Sequence, residues 1–256
     1  MNLSGQAVIV TGAAGGIGRA LAARLVREGA HVVINDLDHE RTHDTATQIG
    51  ARAIAGDAAS AEGATALVQE ACEQLGRIDA WFANAGILRG CGLDADEADW
   101  AASWEVNTMA HVRAARLLVP QWLERGSGRF VVTASAAGLL TSLGTASYAV
   151  TKHGAVAFAE WLSATYRHRG IEVHAICPQG VQTDMLANSG AVGSVVMEGV
   201  ITADDVADAT MAAMREGHFL VLPHGEVAGY YRARVNDTDR WLSGMNKLQR
   251  WLHEET

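Results

Sequence analysis

Residues 10–20 read "VTGAAGGIGRA": an apolar run breaks into a glycine-rich turn and then takes up a helical pattern. Gly12, Gly16 and Gly18 suit a turn in which backbone approaches a ligand closely while a helix N-terminus faces it. The free N–H groups and positive dipole end at such a place favour a pyrophosphate. A glycine turn alone indicates only a tight bend. Its place between a first strand and a first helix, inside a strand–helix–strand unit, gives it meaning.

Outward from this turn, short β-branched apolar runs alternate with longer helical stretches. The strand candidates are 7–12, 31–36, 52–57, 79–86, 129–135, 172–177 and 219–224, most of them apolar on both faces. That is the pattern of a parallel sheet covered by helices on each side. Segments such as "GRALAARLVREG" (18–29) and "TALVQEACEQLG" (65–76) carry apolar residues three and four apart, as amphipathic helices do. The expected fold is therefore α/β, a doubly wound parallel sheet of about seven strands in one domain over residues 1–225. Residues 226–256 form a tail in which Trp241, Leu242, Met245, Leu248 and Leu252 fall at helical spacing. It is expected to pack on its own domain or at a subunit interface. Residues 184–203, rich in Gly, Ser and small apolar residues, suit a mobile lid or a plain connection.

Composition narrows the partners. Hydrophobic residues make up 49% of the 256 and charged residues 19%, enough for a large buried core. A net charge of −9 without a basic cluster argues against nucleic acid and anionic membrane surfaces. No apolar run reaches the roughly 18 residues of a membrane span. The opening "MNLSGQAVIVTG" lacks a basic stretch and runs into a strand, so no secretory signal is expected. Cys72, Cys91 and Cys177 form no CxxC pair and read as reduced thiols of a cytoplasmic protein. His39 and His43 stand four apart on a polar stretch and read as solvated side chains. Trp100, Trp104 and Trp122 read as core or subunit contact.

Asp36 ends the second strand run, 24 residues after Gly12, where a carboxylate accepts from the hydroxyls of an adenosine ribose. Asp57 ends the third run; it is placed to accept from an adenine amino group, or to serve only as a turn residue. With the turn and Asp36 it favours a dinucleotide, and Ala58 beside it joins that set. Tyr148 and Lys152, in "SYAVTKHG" (147–154), share one face of a helix start. They are either packing with a snorkelling amine or a phenol prepared to give up its proton.

On these residues the sequence resembles the short-chain dehydrogenase/reductase family, over roughly residues 4–225. Thr11-Gly12-x3-Gly16-Ile17-Gly18 is similar to the family's cofactor turn. "ANAG" (83–86, with Asn84, Ala85 and Gly86) resembles its segment after strand four, and "PQGVQT" (178–183) its segment after strand six. Asn107, Ser135, Tyr148 and Lys152 match its catalytic tetrad, with Ser135 13 residues before Tyr148 as in the family. The resemblance implies a Rossmann-like sheet, a nicotinamide cofactor and self-association as a dimer or tetramer through the helices holding Asn107 and Tyr148. It also implies that Lys152 grips the nicotinamide ribose and that Asn107 holds a water. Pro178, Gly180, Val181 and Thr183 are then the nicotinamide contacts.

The chemistry explains the grouping. A hydride leaves an alcohol carbon, and the hydroxyl proton goes to a base. A free tyrosine has pKa near 10. An ammonium at ~4 Å and effective dielectric ~20 favours its phenolate by about 4 kcal/mol, which predicts a Tyr148 pKa near neutrality. Ser135 is placed to hold the substrate oxygen. Asp36, with no cation at Gly15 or Leu37, points to NAD. The pocket segments 87–94, 136–146 and 184–203 offer Leu139, Leu140, Leu143, Met185 and Leu186, with Arg89 the one cation, and point to a neutral, largely apolar small-molecule substrate. The alternatives are an NADPH-dependent carbonyl reductase of this fold and a non-catalytic nucleotide-sensing protein. Two departures stand out: Gln179 where the family has glycine, and "LPHGEVAGYY" in place of its Gly-Gly ending.

Overall fold

A computed structural model describes residues 3–188 and 199–254. Seven parallel strands lie in the order β3-β2-β1-β4-β5-β6-β7. They are β1 (Ala7–Thr11), β2 (His31–Asn35), β3 (Arg52–Ala53), β4 (Ala80–Ala83), β5 (Gly128–Thr133), β6 (Ile171–Ile176) and β7 (Leu220–Val221). The order reverses between β1 and β4, which opens a crevice at the carboxyl edge where such sheets bind ligands. Side chains alternate across β1. Val8 and Val10 pack with one core beneath α1 (Gly16–Arg27), and Ile9 joins the other. The second core lies under α3 (Ala61–Leu75), α5 (Ala110–Arg125) and α6 (Ala146–Tyr166). Between those two cores the sheet is covered on both faces, which is why its strands read as unbroken apolar runs.

β3, β4 and β7 fall short of their sequence runs by four residues each, and each stop has a local cause. β3 ends at Ala53 because Asn35 Nδ2 donates to the carbonyls of Ile54 (2.9 Å) and Gly56 (3.0 Å). β4 ends at Ala83 because Asn84 turns toward β1. β7 ends at Val221, two residues before Pro223, which has no N–H for a ladder.

The remaining helices are α2 (His39–Ile49), α4 (Glu97–Trp104), α7 (Asp184–Ala187), α8 (Ala203–Glu216), α9 (Glu226–Asn236) and α10 (Thr238–Glu254). A π-helical turn, Glu105–Met109, joins α4 to α5 and carries Asn107. The ends of the expected lid are tied together: Gln182 N–H donates to Ile201 O (2.9 Å) and Ile201 N–H to Gly180 O (3.1 Å). Residues 189–198 of that segment lie outside the described residues. Trp122 is fully buried, its indole donating to Ile78 O at 2.9 Å, whereas Trp104, Val150 and Trp161 are exposed on α4 and α6. No described helix is long and apolar enough to cross a membrane.

Candidate active site

One cavity of about 840 Å³ runs along the carboxyl edge of the sheet. Of the cofactor and catalytic residues expected from sequence, all line it except Asn107, which is buried behind its wall; of the expected substrate residues, Leu140, Met185 and Leu186 line it, whereas Leu139 is turned into the core and Leu143 is not part of the lining.

At the glycine end, β1 and β4 brace each other. Thr11 Oγ1 accepts from the N–H groups of Asn84 (3.1 Å) and Ala85 (3.2 Å). Asn84 Nδ2 donates to the carbonyls of Thr11 and Gly12, both at 3.0 Å. This close approach dictates glycine at two positions. Gly12 has φ +63°, and a Cβ there would lie 2.7 Å from Ala85 Cα. A Cβ on Gly18 would lie 2.3 Å from Gly12 O. The N-cap of α1, Gly15, brings no capping side chain, and its first turn holds no carboxylate, so its N–H groups are left for an anion. The floor fits a pyrophosphate.

Asp36 closes β2 with both oxygens oriented: Oδ2 accepts from Ala14 N–H (3.0 Å) and Oδ1 from Leu37 N–H (2.8 Å). Asp57 is exposed and accepts from Ala59 N–H at 2.8 Å, so it does serve as a turn residue at the cavity edge. Arg41, five residues after Asp36, brings a cation to this end of the cavity. Its guanidinium lies against Gly15, and its Nη2 pairs with Asp184 Oδ2 at 2.7 Å.

At the other end, β5 delivers Ser135 and the first turns of α6 deliver Tyr148 and Lys152. Ser135 Oγ accepts from Ala137 N–H (3.1 Å). Asn107 Oδ1 accepts from Ile87 N–H (2.9 Å), while its Nδ2 donates to Ile87 O (2.9 Å) and Thr151 Oγ1 (3.1 Å). Both its amide protons are committed, so Asn107 pins the chain leaving β4 to α6. One helical turn either side, Ser103 Oγ and His111 Nε2 are buried without a hydrogen-bond partner among the described residues. Burial pushes the His111 imidazole down to about 3, the Lys152 charge adding to it, so the ring is neutral at pH 7.

The expected ion pairing within the tetrad needs correction. Lys152 Nζ donates to Thr133 O at 2.8 Å and sits 5.6 Å from the centre of the Tyr148 ring. Burial pushes the Tyr148 phenol up, and the neighbouring Ser135 hydroxyl only partly offsets this. Burial also lowers Lys152, to about 8 from an ordinary 10.5, and raises the Cys177 thiol to about 12. In this geometry desolvation outweighs the attraction that the ~4 Å estimate assumed.

This has a consequence for stability. Below pH 8 both folded and unfolded chains keep the Lys152 proton, and the full cost of burying that charge is present. Between pH 8 and 10.5 the folded chain loses the proton first, so the cost is relieved as pH rises. Lys152→Met should therefore be more stable than the wild type at pH 7, by up to about 3 kcal/mol less the lost hydrogen bond. The advantage should shrink toward pH 10.5. Denaturant unfolding of both proteins at pH 7 and pH 10 checks this, and a difference independent of pH would contradict it.

Two features escaped sequence reading. His224, buried after β7, accepts from Gln179 N–H at Nδ1 (3.1 Å), which leaves its Nε2–H to donate to Gly180 O (3.2 Å). The two departures from the family pattern are thus joined, and Gln179 keeps φ negative, so no glycine is needed there. The signal was present in "LPHG", but only the fold sets it beside Pro178. The second feature is where the tail lies: Glu226, Tyr230, Trp241, Met245 and Leu248 line the same cavity as Ser135, Tyr148, Leu140 and Thr141.

Residues 6–192 match the short chain dehydrogenase family. The chain is 35% identical over 252 residues to a 1-deoxy-11-beta-hydroxypentalenate dehydrogenase of Streptomyces exfoliatus, covering 95% of this chain and 92% of that protein. A short-chain dehydrogenase/reductase of Burkholderia phymatum, solved in complex with NAD, superposes with TM-score 0.85 at 28% identity, over 93% of this chain and 96% of the other. A short-chain dehydrogenase of Sphingobium yanoikuyae, solved with NADPH, shares the fold at TM-score 0.80 and 24% identity, over 93% and 95% of the two chains. A family model matched over residues 6–192 and a relative 35% identical across 95% of the chain show that this chain belongs to the short-chain dehydrogenase/reductase family.

Proposed function

We propose that this protein is an NAD-dependent alcohol dehydrogenase that interconverts a neutral, largely apolar secondary alcohol and its ketone. The observation that carries the reading is that Ser135, Tyr148 and Lys152 meet at one end of a cavity whose other end is the glycine floor and Asp36. NAD, when bound, supplies the hydride acceptor and a positive charge close to the phenol. Ser135 Oγ holds the alcohol oxygen, and Tyr148 Oη takes its proton as the hydride leaves the carbon. Lys152 reaches the nicotinamide ribose and turns its charge toward the phenolate. Asn107 keeps Gly86 and Ile87 in place beneath it; a Cβ on Gly86 would press on both Lys152 Nζ (3.2 Å) and Asn107 Oδ1 (3.3 Å).

Charge supports the neutral substrate. Among the described residues, the cations lining the cavity are Lys152, which is spoken for, and Arg41, which is paired with Asp184. Glu226 adds a carboxylate at the substrate end, and residues 184–203 contain no Lys or Arg at all. Arg89 is not among the lining residues and does not supply the missing cation. An anionic substrate would lack a partner for its charge. The Streptomyces relative is named for a hydroxylated carboxylate, so the two proteins are expected to differ at this point. Initial rates with NAD on neutral alicyclic alcohols and on hydroxy acids of similar size provide the test. The neutral alcohols should turn over and the acids should not; activity confined to the acids would defeat the reading.

A further inference from the structure

α10 is amphipathic, yet beneath much of its apolar stripe there is a cavity instead of a core. Trp241, Met245 and Leu248, spaced four and three apart, line the cavity and are only half-buried. The helix is held over it at Trp241, whose indole N–H donates to Thr141 Oγ1 at 3.0 Å, and whose ring packs 6.5 Å from that of Tyr230. α9 is fixed nearby: Arg234 Nη1 meets Leu139 O and lies 3.0 Å from His153 Nε2. These contacts fall on Leu139–Thr141, the segment that follows Ser135, and on the outer face of the helix that carries Tyr148. The tail is thus anchored on segments that adjoin Ser135 and Tyr148 in sequence. It lies beyond residues 6–192, the part matched to the family as a whole.

Half-buried apolar side chains facing a cavity keep surface that a ligand can remove from water. Resting on the function proposed above, we infer that α10 is the substrate wall of its own chain. Trp241, Met245 and Leu248 grip the apolar body of a bulky alcohol, and the tail sets the preference for large over small alcohols. The outer face of α10, where Leu242 and Trp251 are half exposed, takes no part.

The test uses the full-length chain with borneol, a bicyclic secondary alcohol, and 2-butanol. Met245→Ala/Leu248→Ala leaves the Trp241–Thr141 hydrogen bond in place. It should lower kcat/KM for borneol about tenfold or more, mainly through KM, while 2-butanol changes less than about twofold. NAD affinity, read by titration, should stay within about twofold. Trp241→Phe keeps a ring but removes the anchoring N–H, and should lose borneol activity by a smaller factor. Leu242→Ala should change neither substrate. An equal fall for both alcohols, or none for borneol, overturns the inference. A readout independent of turnover accompanies these rates: hydrogen exchange of residues 238–252 with camphor and NADH added. Protection there supports the substrate wall even if no alcohol proves to be a good substrate, in which case the proposed function fails by itself. No protection in the wild type refutes the wall, whatever the rates.

Discussion

Tyr148→Phe should lower kcat by about 10²–10⁴-fold while leaving NAD affinity nearly intact. The phenol lines the cavity beside Ser135, where it is placed to take the alcohol proton, and phenylalanine preserves its ring and packing. The structure adds a pH dependence. Burial pushes the Tyr148 phenol above its ordinary range, so its basic form is scarce at neutral pH unless a positive charge is brought close. Alcohol oxidation by the wild type should therefore rise with pH, and the residual rate of Tyr148→Phe should lose that rising limb. Steady-state kinetics from pH 6 to 10 on both proteins measure this. A variant that keeps most of the activity, or the same pH profile, would remove Tyr148 from the mechanism.

The second large effect is cofactor choice: NAD should be preferred over NADP by at least about 10²-fold in kcat/KM, equivalent to ~2.7 kcal/mol. Asp36 is held by Ala14 and Leu37 N–H groups, so its carboxylate cannot turn aside easily. A 2′-phosphate at ~4 Å would cost about 4 kcal/mol per like-charge contact even at an effective dielectric of 20. Arg41 is the natural compensating cation, but Asp184 holds it, and Asp36 and Asp38 share its field. Asp36→Ala should narrow the preference mainly by weakening NAD. Asp184→Asn should narrow it from the other side, by releasing Arg41 to a phosphate. Rates with both cofactors on one alcohol check all three proteins; equal use of NADP by the wild type would sink the claim.

What the sequence made legible follows physical range. The parallel sheet was readable because strands covered on both faces must be apolar throughout, a local property of each run. Most of the positions named for the site converge on one cavity, since most of them follow a strand's carboxyl end and those ends share one edge, while Tyr148 and Lys152 reach it from α6 and Asn107 stands behind its wall. Strand lengths were not readable: β3 and β4 stop because Asn35 and Asn84 bond across the chain, which no local pattern announces. The Tyr148–Lys152 electrostatics were misjudged for a related reason. Spacing along a helix gives a shared face, but the direction of Nζ depends on the Thr133 carbonyl, 19 residues away. The tail's stripe was visible, whereas the cavity that Trp241, Met245 and Leu248 line could come only from three dimensions.

The brace between Thr11 and Asn84 bears on how the chain comes into being. The two residues are 73 apart, so the glycine turn leaves the ribosome long before the side chain that fixes its carbonyls. β1, β2 and β3 can associate first, but the turn lacks its bound shape until β4 inserts beside β1 and completes a contact of long loop closure. A nascent chain thus has no competent phosphate floor through its first third, however much nicotinamide cofactor surrounds it. Once β4 has docked, each bound cofactor adds RT ln(1 + [L]/Kd) to the stability of the finished fold. The cofactor can reward completed synthesis of the sheet; it cannot template it.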